Sequence, residues 1–263
     1  MTSVDGLSSV ARSLSERYHF MAEQIIEFKV QRYKQGQPAP TYQTFKTLCD
    51  DNTTVLVALQ DIRRDQDGSL VLRHSCHHAS CGTCGMRVNG KEELGCVVKV
   101  LDLGTSTVTV EPMRNMPIIS DLVVNMEPFY DRYNAVGMPY VRQSEYLDEA
   151  DLAEGLEAYQ RYENCIECNL CVSGCPIMGS DELYLGPATL AAARRVIEEP
   201  RGVPTKPLLD WVDSENGCWR CHVAYECNTA CPSEVYPGDQ IMALRRDLTK
   251  RKFRGLFGRG GKG

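Results

Sequence analysis

Ile26, Phe28 and Val30 alternate with Glu27, Lys29 and Gln31, the period-two pattern of a strand with one buried face. Gly36–Pro40 reads as a turn and Tyr42–Lys46 as a second strand. Val55, Leu56, Leu59 and Ile62 recur at helical spacing, with Thr53 or Thr54 available as the cap. Ser69–Leu72 predicts a short strand. Met86–Val88 and Glu92–Leu94 flank Asn89-Gly90, the signature of a two-residue hairpin. Thr105–Val110 alternates Thr and Val, again a strand. This run of elements predicts a small α+β domain ending near Glu111.

Beyond it the strand pattern fades. Pro112, Pro117, Pro128 and Pro139 mark a connecting segment. Helical spacing then returns at Asp148–Tyr162, at Pro187–Glu198 with proline in the first turn, and at Pro237–Thr249. The expected organisation is an extension at 1–22 (Val10, Leu14 and Tyr18 suit a short amphipathic helix), a first domain at 23–112, a connector at 113–145, a helical domain at 146–250 and a basic tail at 251–263. Arg245–Gly263 carries eight basic residues and one acid, a composition suited either to an anionic surface or to plain solvation.

Composition changes the picture in one respect. Of 263 residues, 43% are hydrophobic and 24% charged, which excludes wholesale disorder. The net charge of −6 gives no reason to expect nucleic acid. No apolar run approaches the roughly 18–20 residues that span a bilayer. Met1–Tyr18 lacks an apolar core beside a cleavage site, so no secretory signal is expected. The unusual feature is cysteine: there are 13, an odd number, and eleven of them are clustered. That pattern points to metal in a reducing compartment rather than to disulfides.

Cys76, Cys81 and Cys84 form C-x4-C-x2-C, and Cys96 follows twelve residues later. This is the plant-type spacing for a [2Fe–2S] cluster. Such a loop must turn N–H groups toward the cluster sulfurs, and Gly82 and Gly85 permit close approach. The competing reading is a structural zinc, although zinc favours two knuckles of paired cysteines. Histidine ligation by His77 and His78 is rejected, because no second Cys/His pair follows. His74, His77 and His78 are expected to face solvent.

Cys165, Cys168, Cys171 and Cys175-Pro176 form C-x2-C-x2-C-x3-C-P, in which the fourth cysteine serves the other cluster of a pair. Cys221, Cys227 and Cys231-Pro232 repeat the register, with Ala224 in place of one cysteine. Cys165, Cys168, Cys171 and Cys231 then make a set of four thiolates for [4Fe–4S]. Cys175, Cys221 and Cys227 make a set of three, which suits [3Fe–4S] unless Cys218 or water completes a second four-iron cluster. Cys49 reads as a small buried hydrophobe.

The order of these motifs resembles the iron–sulfur subunit, or B subunit, of succinate dehydrogenase and fumarate reductase in the complex II family. The resemblance spans roughly residues 24–250. It rests on Arg73-His74-Ser75-Cys76, Asn89-Gly90-Lys91, Pro117-Ile118-Ile119-Ser120-Asp121-Leu122-Val123-Val124, Leu185-Gly186-Pro187-Ala188 and Arg220-Cys221-His222. It implies an α+β chain: a β-grasp plant-type ferredoxin domain followed by an all-α bacterial-type ferredoxin domain. It also implies an electron-transfer subunit with no dicarboxylate site of its own. Its partners would be an FAD-containing flavoprotein and membrane anchor subunits bearing quinone and, in some relatives, heme. The place would be peripheral, on the cytoplasmic side of the inner or plasma membrane. Electrons would pass from flavin to [2Fe–2S], [4Fe–4S], [3Fe–4S] and quinone. Pro176 and His222 match positions near quinone in that family. Where relatives have Arg-Glu-Gly in the first loop, this chain has His77-His78-Ala79. The Trp that often follows Cys-Pro is absent from Ile177-Met178-Gly179-Ser180, which motivates an alternative soluble, thiol-type donor or acceptor.

Overall fold

The computed structural model describes residues 23–137, 164–198 and 206–257. The expected helices within 1–22 and at Asp148–Tyr162 lie outside the described residues.

Strands β1 (Gln24–Arg32) and β2 (Thr41–Cys49) form an antiparallel pair, followed by helix α1 (Val55–Asp65), the hairpin β3 (Gly85–Val88) and β4 (Lys91–Leu94), and β5 (Thr107–Glu111). The sheet order is β2-β1-β5-β3-β4, with β1 and β5 parallel and the other neighbours antiparallel. The period-two residues behave as expected: Ile26, Phe28 and Val30 are buried and meet Val108 and Val110 of β5. Helix α1 closes that face with Val55, Leu56, Leu59 and Ile62, and Thr54 Oγ1 caps it by accepting from the Val57 N–H. Asn89 and Gly90 both adopt positive φ in the hairpin, as a two-residue turn of this twist requires.

Ser69–Leu72 does not form a strand. Leu70 and Leu72 are buried, but the backbone is held by Asp121: its Oδ2 accepts from Val71 N–H, while Leu122 N–H donates to Val71 O. Asp121 Oδ1 also accepts from Tyr33 N–H and Arg32 Nε. A side chain has taken the place of a ladder.

The proline-rich segment holds more structure than a bare connector. It contains the small antiparallel pair β6 (Ile118–Ser120) and β7 (Val123–Val124), then helix α2 (Glu127–Ala135). Beyond it, the described structure is helical: α3 (Leu170–Ser173), α4 (Pro187–Ile197), α5 (Lys206–Val212), α6 (Glu226–Thr229) and α7 (Pro237–Phe257). Phe129, Tyr133, Leu190, Ile241, Leu244 and Leu248 belong to a second core. Helix α7 runs past Thr249 into the residues expected as a tail. Arg251 pairs with Asp210 and Lys252 with Asp213, which ties this last part of the helix to α5 and the residue after it.

Candidate metal centres

The first loop is shaped around its cysteine sulfurs. His78 N–H and Ser80 N–H point at Cys76 Sγ (3.5 and 3.3 Å), and Ala79 N–H points at Cys96 Sγ (3.4 Å). His77, Ala79 and Gly82 hold positive φ, which turns successive amides inward. The sequence singled out Gly82 alone among these three; side-chain-bearing residues carry the other two left-handed positions. The His78 N–H is the leading cause that lowers the Cys76 thiol to about 7. Burial pushes Cys84 up to about 12. His74, His77 and His78 are exposed, with His74 and His77 ring nitrogens 3.3 Å apart.

The two later cysteine runs have the same backbone. Glu167 and Asn169 in the first run take positive φ, and so do Val223 and Tyr225 at the matching positions of the second. Each run then enters a four-residue helix, α3 or α6. These helices pack together where Gly174 has no Cβ: one built there would lie 3.5 Å from Ala230 Cβ and Glu226 O. The consequence is a crossed distribution of thiols. Cys165, Cys168, Cys171 and Cys231 line one cavity. Cys175, Cys221 and Cys227 line another, together with Ala224, Pro176 and His222. Ala224 therefore stands among the three thiols where a fourth would be.

Cys218 does not line that cavity. It is fully buried in the second core, and burial raises its thiol to about 11. Cys49 is likewise buried, in the first core. Sequence reasoning missed the group that holds the second run. Arg245 on α7 donates from Nε to Cys218 O (2.8 Å) and from Nη2 to Trp219 O (3.0 Å) and Cys221 O.

These sites fit iron–sulfur clusters. Among the described residues, no three His, Cys, Asp or Glu side chains converge as they would around a single ion. A polynuclear cluster needs thiolates arranged around its own body, and the cavities lined by four and by three cysteines offer that arrangement. Burial pushes Cys168 and Cys227 up to about 12 and raises Cys165, Cys171 and Cys175, with the neighbouring thiols adding to the effect. Such sulfurs ionise only when a cation compensates them, which is the chemistry of a metal-loaded thiolate set. Asn169, 2% exposed and lining the four-thiol cavity, has an Oδ1 with no partner among the described residues.

The two halves meet at the cysteines. A Cβ added to Gly82 would fall 2.7 Å from Cys168 Cβ and 2.9 Å from Ile166 O. One on Gly85 would lie 3.3 Å from Cys168 O. These glycines thus serve contact between the two centres, beyond the loop geometry expected of them. Asn115 fastens the joint, its Nδ2 donating to Val172 O, Ser173 O and Cys175 O (2.8, 3.1 and 2.8 Å). Ser173 Oγ accepts from Arg114 N–H and donates to Glu92 of β4.

Comparison with known proteins agrees with this arrangement. Residues 27–131 match the family model of a 2Fe-2S iron–sulfur cluster binding domain, and residues 161–235 that of a 4Fe-4S dicluster domain. The chain is 34% identical to the fumarate reductase iron–sulfur subunit of Mycobacterium tuberculosis over 84% of its own length and 91% of the relative's. It is 30% identical to the mitochondrial succinate dehydrogenase [ubiquinone] iron–sulfur subunit of Candida glabrata, over 84% and 90%. The fold resembles a chain of the Mycobacterium smegmatis Sdh1 complex in the apo form (TM-score 0.77, 21% identity, covering 88% of this chain and 98% of that one). No helix among the described residues is long and apolar enough to cross a membrane. The chain belongs to the family of succinate dehydrogenase and fumarate reductase iron–sulfur subunits, electron-transfer subunits of an oxidoreductase complex.

Proposed function

We propose that the chain relays electrons between an FAD-containing subunit that handles the dicarboxylate and a quinone held by membrane anchor subunits. Cys76, Cys81, Cys84 and Cys96 would hold [2Fe–2S]. Cys165, Cys168, Cys171 and Cys231 would hold [4Fe–4S], and Cys175, Cys221 and Cys227 would hold [3Fe–4S]. When bound, the clusters supply one-electron transfer; this chain's residues bind them, space them and exclude water. The fold would be a β-grasp ferredoxin domain joined to a helical ferredoxin domain, with boundaries near 112 and 146. The protein would lie peripherally on the cytoplasmic side of the membrane, held by its anchor.

The observation that carries the reading is the crossed sorting of seven thiols into a set of four and a set of three around Ala224. Support for quinone as acceptor comes from Pro176 and His222, which share the three-thiol cavity, and from exposed Trp219, Val223 and Tyr225 along the same run. Native purification tests the proposal. Co-purification with a flavoprotein and an anchor, with succinate-dependent quinone reduction, is the expected result. A complex that lacks an anchor and reacts with a thiol or disulfide would establish the soluble-acceptor alternative instead.

A further inference from the structure

Two tyrosines are buried among the described residues, Tyr133 (3% exposed) on α2 and Tyr184 (1%) in the turn before α4. Each belongs to a different thiol set. Tyr133 lines the four-thiol cavity, and its hydroxyl lies 3.9 Å from Cys165 Sγ. Tyr184 lines the three-thiol cavity beside Cys175, Cys221 and Cys227. A buried phenol must find an acceptor or lose the hydration it had in water. The acceptor for Tyr133 is the Cys165 sulfur, and Tyr184 shares its cavity with three thiols. A phenol keeps its proton at neutral pH, so each hydroxyl is available as a donor.

We propose that Tyr133 and Tyr184 set the reduction potentials of the two clusters in the helical half, one tyrosine per cluster. This rests on the cluster assignment above. The Tyr133 hydroxyl donates to Cys165 of the four-iron site, and the Tyr184 hydroxyl serves a sulfur of the three-iron site whose cavity it lines. Reduction adds one negative charge to a cluster, and part of it resides on the ligand sulfurs. An O–H dipole aimed at such a sulfur stabilises the reduced form more than the oxidised form and raises the potential. The tyrosine gives up neither proton nor electron. In the first loop the donors to sulfur among the described residues are the amides of His78, Ala79 and Ser80, and an amide, that of Val223, also reaches Cys221 Sγ in the later run.

A packing role is the competing explanation, since the Tyr133 ring stacks on Phe129 with centroids 5.2 Å apart. Phenylalanine keeps the ring and deletes only the donor, so it separates the two. The test is a redox titration, followed by electron paramagnetic resonance, of the natively purified complex carrying Tyr133→Phe or Tyr184→Phe. Tyr133→Phe should lower the potential of [4Fe–4S] and leave the other two in place. Tyr184→Phe should lower only that of [3Fe–4S]. No shift, an equal shift of all three, or loss of the cluster would overturn the proposal. Unaltered protein exchanged into D2O gives a second readout: a deuteron coupled to the three-iron signal that Tyr184→Phe abolishes. Its absence would also overturn the proposal. If unaltered protein lacks the three-iron signal altogether, the cluster assignment fails; a signal present with unshifted variants condemns only the tyrosine role.

Discussion

Gly82 touches Cys168: a Cβ on the glycine would overlap the cysteine's Cα and Cβ at 2.8 and 2.7 Å. The last turn of the first cysteine loop therefore rests directly on Cys168 of the four-thiol set. Contact of this kind shortens the path between two electron carriers. Only glycine fits, because the position also holds φ of +69°. Gly82→Ala should cost about 1–3 kcal/mol from the overlap and roughly 1 kcal/mol more from the left-handed backbone. Thermal melting of the complex checks the first effect. Rapid-freeze kinetics should show slower electron passage from [2Fe–2S] to [4Fe–4S], with both clusters present.

Arg245 is expected to hold the run that begins at Cys221 through its three carbonyl contacts. Arg245→Met removes charge-assisted bonds, two of them from the carbonyls of buried Cys218 and half-buried Cys221, a loss of about 1.5–3 kcal/mol. Iron should be lost first from the three-thiol site, as seen in the spectrum after mild oxidation, and Arg245→Lys should restore part of it.

Asp121 is 0% exposed and accepts from Arg32 Nε and the Tyr33 and Val71 amides. Asp121→Ala orphans these donors and should destabilise the first domain by about 3–5 kcal/mol. A lowered melting temperature with early loss of the [2Fe–2S] absorption is the expected readout.

The thiols predict opposite pH responses with and without metal. In the metal-free fold, Cys84, Cys168 and Cys227 are raised from their ordinary 9.0 to about 12, chiefly by burial. A raised value favours the protonated thiol, so this stability is present below pH 9 and disappears as pH climbs toward 12. Metal-bound thiolates reverse the sign, because protons then compete with iron. Melting curves of chelated protein should fall between pH 9 and 12, whereas loaded protein should lose its clusters on acidification.

Much of this was legible in the sequence where the cause is local. Asn89-Gly90 forms its hairpin, Thr54 caps its helix, and cysteine spacing with the gap at Ala224 anticipates the crossed sorting. What escaped depends on distant partners. Leu70 and Leu72 have a strand-like pattern, but Asp121, fifty residues away, takes Val71's amide. The left-handed turns at His77, Ala79, Glu167 and Tyr225 carry no glycine or asparagine to announce them. The carbonyls that Arg245 holds lie more than twenty residues before it in the chain. Nothing in a tyrosine's neighbours reveals that its hydroxyl meets a cysteine 32 residues on, as Tyr133 does.

Ala224 remains the residue on which the assignment turns. Ala224→Cys supplies a fourth thiol in the three-thiol cavity. It should convert the site to a four-iron cluster and abolish the three-iron signal of the oxidised protein.

The most direct measurement is electron paramagnetic resonance of the intact, anaerobically prepared complex, oxidised and then stepwise reduced. The account predicts a three-iron signal in the oxidised state and, on reduction, separate signals from a [2Fe–2S] and a [4Fe–4S] centre. An oxidised protein with no three-iron signal would contradict it.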